Sequence, residues 1–151
     1  MNSLTACVPI NCKTLRPIQS EASEMKLKPK ILLADDHHGM LDKAMTILRE
    51  CFDVSAVLNG QQMLEAARRA DPDVVVLDIS MPVLDGLQAA LELRRRGSRA
   101  KIIFLTLHEE DEYLNAAMAC GAQGYVLKRR MLLDLQLAIE EVLAGGLFIS
   151  P

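Results

Sequence analysis

The sequence predicts a three-layered α/β domain built on a parallel sheet. Two observations carry that reading. Short apolar runs rich in Val, Ile and Leu alternate strictly with longer amphipathic stretches, and each strand-plus-helix unit takes about 20 to 27 residues, as a right-handed crossover requires. The runs are 31–34, 54–58, 74–77, 102–106 and 124–127, and their continuity reads as burial on both faces of a sheet. Helices are expected at about 39–50, 60–70, 85–96, 110–120 and 131–144. In the last of these, Leu132, Leu135, Ile139 and Val142 recur at spacings of three and four and form one apolar stripe.

Five strands are too few for an eight-stranded barrel. The economical topology is a flavodoxin-like, doubly wound (βα)5 sheet of order 2-1-3-4-5, with its site at the carboxyl ends of the strands. Composition agrees with this. The 151 residues leave room for one domain and a tail, and 8 Gly and 6 Pro are too few for a disordered or collagen-like chain. With two Tyr, three Phe and no Trp, the core must be aliphatic and stacking platforms for single-stranded nucleic acid are nearly absent. Net charge divides unevenly: residues 1–30 carry +3 and the remainder −6, which argues against a DNA-binding surface within the domain. The one basic cluster, Arg94, Arg95, Arg96 and Arg99, reads as a solvated helix terminus complementing the dipole. Cys7, Cys12, Cys51 and Cys120 have no metal-ligand spacing and suggest no disulfide framework, which fits a reducing, cytoplasmic setting. No apolar run approaches the roughly 20 residues of a membrane span. Residues 1–28 lack a continuous apolar stretch and read as a flexible leader, with a second in-frame start at Met25.

The chemistry should lie just after each strand. Asp35 and Asp36 follow the first strand and Asp78 follows the third, and the topology sets those strands side by side. A single Asp there would read as a helix cap. Three converging carboxylates repel one another unless a cation intervenes, and Mg²⁺ suits a site of one or two carboxylates, a carbonyl and waters. Thr106 ends the fourth strand and Lys128 follows the fifth, adding a hydroxyl and an ammonium. Together these groups read as phosphoryl transfer to an Asp, because the moving phosphoryl group spreads charge over its peripheral oxygens.

The stretches Lys30-Ile-Leu-Leu-Ala-Asp-Asp36, Val75-Val-Leu-Asp-Ile-Ser-Met-Pro82 with Asp85-Gly86, Ile103-Phe-Leu-Thr106 and Gly121-Ala-Gln-Gly-Tyr-Val-Leu-Lys128 resemble, in order and spacing, the receiver domain of two-component response regulators. The Asp-Asp-His-His opening, Leu107-His-Glu-Glu-Asp-Glu-Tyr113 and the ending Ala144-Gly-Gly-Leu-Phe-Ile-Ser-Pro151 are similar to the LuxR/NarL/FixJ-type subfamily, whose receivers precede a helix-turn-helix. The resemblance implies a leader over 1–28, a receiver over 29–146, and the start of a linker to an output domain over 147–151.

It further implies that Asp78 is the phosphoacceptor, and that Asp36, Asp78 and the Ser80 backbone carbonyl ligate Mg²⁺, with Asp35 acting through water. Lys128 would pair with the acyl phosphate, Thr106 would reorient towards it, and Tyr125 would be a rotameric switch. The implied partners are a sensor histidine kinase or a phosphotransfer protein, a second copy in a homodimer, and DNA only through an output domain outside this chain; no membrane partner is implied. Such a domain signals, catalysing only its own phosphorylation and dephosphorylation, to control an output such as transcription.

Three departures from the family pattern stand out. Arg129 and Arg130 replace the proline that often follows the Lys, bulky Leu107 follows Thr106, and His108 comes next, so that Leu107 and His108 are placed to restrict access to Asp78. His37, His38 and His108 do not read as a metal trio, since neighbours point to different faces and no Cys joins them. A haloacid-dehalogenase-like phosphatase is disfavoured because the position two beyond Asp35 is His37 rather than Asp. A flavin or dinucleotide binder would need a glycine-rich turn after the first strand. A degenerate receiver acting as a docking module is the remaining alternative, and the presence of all five rim residues weighs against it.

Overall fold

The computed structural model describes residues 28–151, so the expected leader lies almost wholly outside the described residues. Strands β1 (Lys30–Ala34), β2 (Asp53–Val57), β3 (Val74–Leu77), β4 (Lys101–Thr106) and β5 (Gly124–Leu127) alternate with helices α1 (His38–Leu48), α2 (Gly60–Ala70), α3 (Gly86–Arg95), α4 (Asp111–Ala119) and α5 (Met131–Leu143). A 3₁₀ turn, Lys128–Arg130, joins β5 to α5, and a sixth strand, β6 (Phe148–Ile149), closes the chain. The sheet order is β2-β1-β3-β4-β5-β6, and every pairing is parallel.

Alternate residues of the strands supply two cores. Leu32, Ala34, Val75, Leu77, Ile102 and Phe104 pack under α2, α3 and α4, while Ile31, Leu33, Val74, Val76, Ile103 and Leu105 pack under α1 and α5. Helix starts are locally encoded. Asn59 Oδ1 accepts from Gln62 N at 2.8 Å, satisfying an amide that the first turn of α2 would otherwise orphan, and Gln62 Oε1 accepts from Leu58 N, just before the cap, at 2.8 Å.

Four expectations are corrected. The sheet has six strands, because Gly145 at φ 96 turns the chain back after α5 and lets Phe148 N donate to Gln123 O at 3.0 Å and Ser150 N to Tyr125 O at 2.8 Å. Two residues carry too little pattern to reveal such a strand. β2 is not buried on both faces, since it lies at the sheet edge with Asp53, Ser55 and Ala56 exposed. The buried stripe of α5 runs through Met131, Leu135, Ala138, Ile139 and Val142, leaving Leu132 76% exposed. Arg94 is no solvated terminus. Its guanidinium donates to Ser98 O, Ala100 O, Gly121 O and Gln123 Oε1, stapling the end of α3 to the loops before β4 and β5. Arg95 and Arg96 do remain at the surface, on Glu92.

Candidate functional site

The parallel ladder continues one residue past β1 and β3. Asp35 N donates to Val57 O and Asp78 N to Ala34 O, so both acids are held at adjacent strand ends with their side chains buried. The 3₁₀ turn directs Lys128 back over them. Its Nζ lies 2.7 Å from Asp35 Oδ2 and 3.0 Å from Asp78 Oδ2, and all three side chains are at most 6% exposed. Asp36 sits at the solvent side of the group.

Two buried carboxylates thus share one ammonium. Burial pushes the Asp78 carboxyl above its ordinary value; the Lys128 contact opposes this, and the neighbouring charge of Asp35 adds to the rise. Burial pulls the Lys128 ammonium down, but the two aspartates outweigh it and leave its pKa raised. Asp35 Oδ1 accepts His37 N at 2.9 Å, while Asp35 Oδ2 is paired with the Lys128 ammonium. Ligand atoms of Asp35, Asp36, His37 and Asp78 all lie within 4.8 Å of one another, so the cluster could hold a metal ion. A donor set dominated by three carboxylates, two of them buried around a single ammonium, fits a divalent cation.

The loop after β3 is tied both to Asp78 and to the start of α3. Ser80 N approaches Asp78 Oδ1 at 3.4 Å, Asp85 caps α3 through Gln88 N, and Gly86 N donates to Ile79 O. A Cβ on Gly86 would collide with the Asp78 carbonyl, so only glycine lets the helix start this close to Asp78.

Thr106 is fully buried at the end of β4, its Oγ1 accepting His108 N at 3.2 Å. Tyr125 is buried in β5 and donates its hydroxyl to His108 O at 2.9 Å; burial, with Glu110 and Tyr113 nearby, pushes its pKa up to about 12. Both ends of the His108 peptide are therefore held by the two residues expected to couple the site to its surface. Sequence reasoning missed this hub. The His108 ring stacks on Tyr113 at 3.9 Å and meets Ser80 Oγ through Nε2 at 2.9 Å. Leu107, expected to crowd the site, instead projects into solvent at 69% exposure. The five expected residues, Asp35, Asp36, Asp78, Thr106 and Lys128, lie along one rim of the sheet. Among the described residues, His38 and His108 do not join His37 in the potential metal group.

The response regulator receiver domain model matches residues 31–140. The chain is 34% identical over 125 residues to the uncharacterized transcriptional regulatory protein YvfU of Bacillus subtilis, covering 81% of this chain and 62% of that protein. It is likewise 34% identical to the response regulator GacA of Pseudomonas aeruginosa, covering 81% and 58%. A LuxR-family two-component response regulator from Aurantimonas sp. SI85-9A1 superimposes with a TM-score of 0.76 at 31% identity, covering 82% of this chain and 91% of that one. This chain belongs to the response-regulator receiver domain family. It spans about three fifths of the length of those curated relatives. No helix among the described residues is long and apolar enough to cross a membrane.

Proposed function

We propose that this chain is a phosphorylation-operated receiver, in which Asp78 takes a phosphoryl group from a phosphohistidine of a kinase or phosphotransfer protein. The observation that carries the reading is the Lys128 ammonium bridging buried Asp35 and Asp78 at adjacent strand ends. A carboxylate oxygen of Asp78 attacks phosphorus, the P–N bond breaks, and its electron pair returns to the imidazole, which takes up a proton. Lys128 keeps a positive charge beside the oxygens on which negative charge grows. Asp36, Asp78 and the Ser80 carbonyl would hold Mg²⁺, with Asp35 acting through water; that ion supplies charge neutralisation for an otherwise repelled phosphoryl group. Thr106 then gives up His108 N for the acyl phosphate. The change passes through the His108 peptide to Tyr125 and reaches α4, and in the longer protein it controls transcription through a DNA-binding output domain.

Incubation with acetyl phosphate or phosphoramidate and Mg²⁺ should label Asp78 alone, with no label in Asp78→Asn or with excess chelator. Label on another residue, or equal labelling without metal, overturns the reading. Thr106→Ala should still accept the label but lose the relay. Amide NMR with beryllofluoride should shift residues 109–127 in the wild type and only the surroundings of Asp78 in the variant. Equal propagation in Thr106→Ala would refute the route through Thr106.

A further inference from the structure

The group of side chains able to share one metal ion contains a donor that is not a carboxylate. His37 Nδ1 lies 3.5 Å from Asp35 Oδ1 and 3.5 Å from Asp36 Oδ1. Around an octahedral ion with bonds of about 2.1 Å, adjacent donors stand about 3 Å apart and opposite ones about 4.2 Å. The four residues, with ligand atoms all within 4.8 Å of one another, come close to that shell before any ion draws them in. His37 is held there by the backbone. It is the N-cap residue of α1 in an extended conformation, and its N–H donates to Asp35 Oδ1. Its ring is 67% exposed. The neighbouring Asp35 and Asp78 carboxylates are buried and share the single Lys128 ammonium, so the group carries more negative than positive charge.

We propose that His37 is a metal ligand, its Nδ1 giving the Asp78 site a nitrogen donor that favours first-row transition ions from Mn²⁺ to Zn²⁺ over Mg²⁺. This rests on the metal-dependent reading of the site given above. Mg²⁺ demands hard oxygen ligands and sheds water reluctantly, whereas imidazole suits the later divalent ions, whose affinity climbs steeply along the row. The other histidines do not compete for the role: His38 opens α1 at the surface, and the His108 ring is engaged by Ser80 and Tyr113.

The test loads the full chain with Mn²⁺ for pulsed EPR and titrates it calorimetrically with Ni²⁺ and with Mg²⁺. Bound Mn²⁺ should show the modulation of a directly coordinated imidazole nitrogen in the wild type and in His38→Gln, and lose it in His37→Gln while still binding. Loss of a ligand should cost at least what loss of a supporting partner costs, so Ni²⁺ affinity should fall about 10–100-fold in His37→Gln, with Mg²⁺ affinity little changed. Mn²⁺ bound with oxygen ligands alone in the wild type, nitrogen coupling that survives in His37→Gln, or equal losses for Ni²⁺ and Mg²⁺ would overturn the proposal. Failure of the wild type to bind any of the three ions would instead overturn the metal-dependent reading beneath it.

Discussion

Replacing Lys128 with Met will destabilise the domain by about 3–5 kcal/mol at neutral pH, because removing one partner of a buried ion cluster leaves uncompensated charge behind. Met keeps the length and apolar stem of the side chain, so packing is nearly conserved and the loss isolates the ammonium. What remains is Asp35 and Asp78, both buried, with no countercharge between them. The folded variant will respond by taking up a proton. Burial already raises the Asp78 carboxyl, and without the opposing Lys128 contact it must rise further. A carboxyl whose folded pKa lies above its unfolded value contributes stability in acid, and that contribution is lost as pH rises through the folded value. The deficit of Lys128→Met should therefore be largest at about pH 7.5 and shrink towards about pH 5, as urea midpoints will show. In the wild type the raised Lys128 pKa keeps the ammonium charged throughout this window, so its own contribution fades only above its ordinary value of 10.5. An equal deficit at both pH values would mean that the loss is one of packing and not of charge.

The rim residues were legible in the sequence because each follows a short apolar run whose end can be counted. Asp35, Asp78 and Lys128 need only the strand ends and a parallel topology to converge, and Thr106 needs only to be the last residue of its strand. What escaped depends on partners that no local pattern names. Arg94 resembles its neighbours in an arginine-rich helix end, yet three of its four acceptors are backbone carbonyls of two loops, which any residue could supply. The role of the His108 backbone was hidden for the same reason: its N–H and C=O meet Thr106 and Tyr125, and the main chain carries no sequence signal. His37 is an intermediate case. That neighbouring histidines face different ways is sound, and it places one of the pair beside the acids while the other starts the helix.

The segment 147–151, expected to begin a linker, illustrates this most clearly, since what fixes it is a buried carboxylate in α5. Asp134 accepts two hydrogen bonds from Arg130, at 2.8 and 3.2 Å, and one from the Ser150 hydroxyl at 2.7 Å; Ser150 Oγ in turn accepts Leu127 N at 3.2 Å. One side chain thereby ties the turn after Lys128, the first turn of α5 and the end of β6 to β5. Asp134→Ala should cost about 2–3 kcal/mol, most of it from the Ser150 hydroxyl left without its acceptor, because the partly exposed Arg130 can rehydrate. The pH dependence runs opposite to that at Asp78. Burial pushes the Asp134 carboxyl up, but Arg130 and Ser150 outweigh it and hold it below its ordinary value of 3.8. Its stabilisation is complete above that value and is lost as pH falls through the lowered one, so wild type and Asp134→Ala should converge only in strong acid. Hydrogen exchange should locate the damage. The Leu127, Phe148 and Ser150 amides, which join β6 and its end to the sheet, should lose protection, while Asp35 and Asp78, held to Val57 and Ala34 across β2, β1 and β3, keep theirs. An unchanged urea midpoint, or protection lost evenly across the sheet, would show that β6 is held by its strand pairing alone.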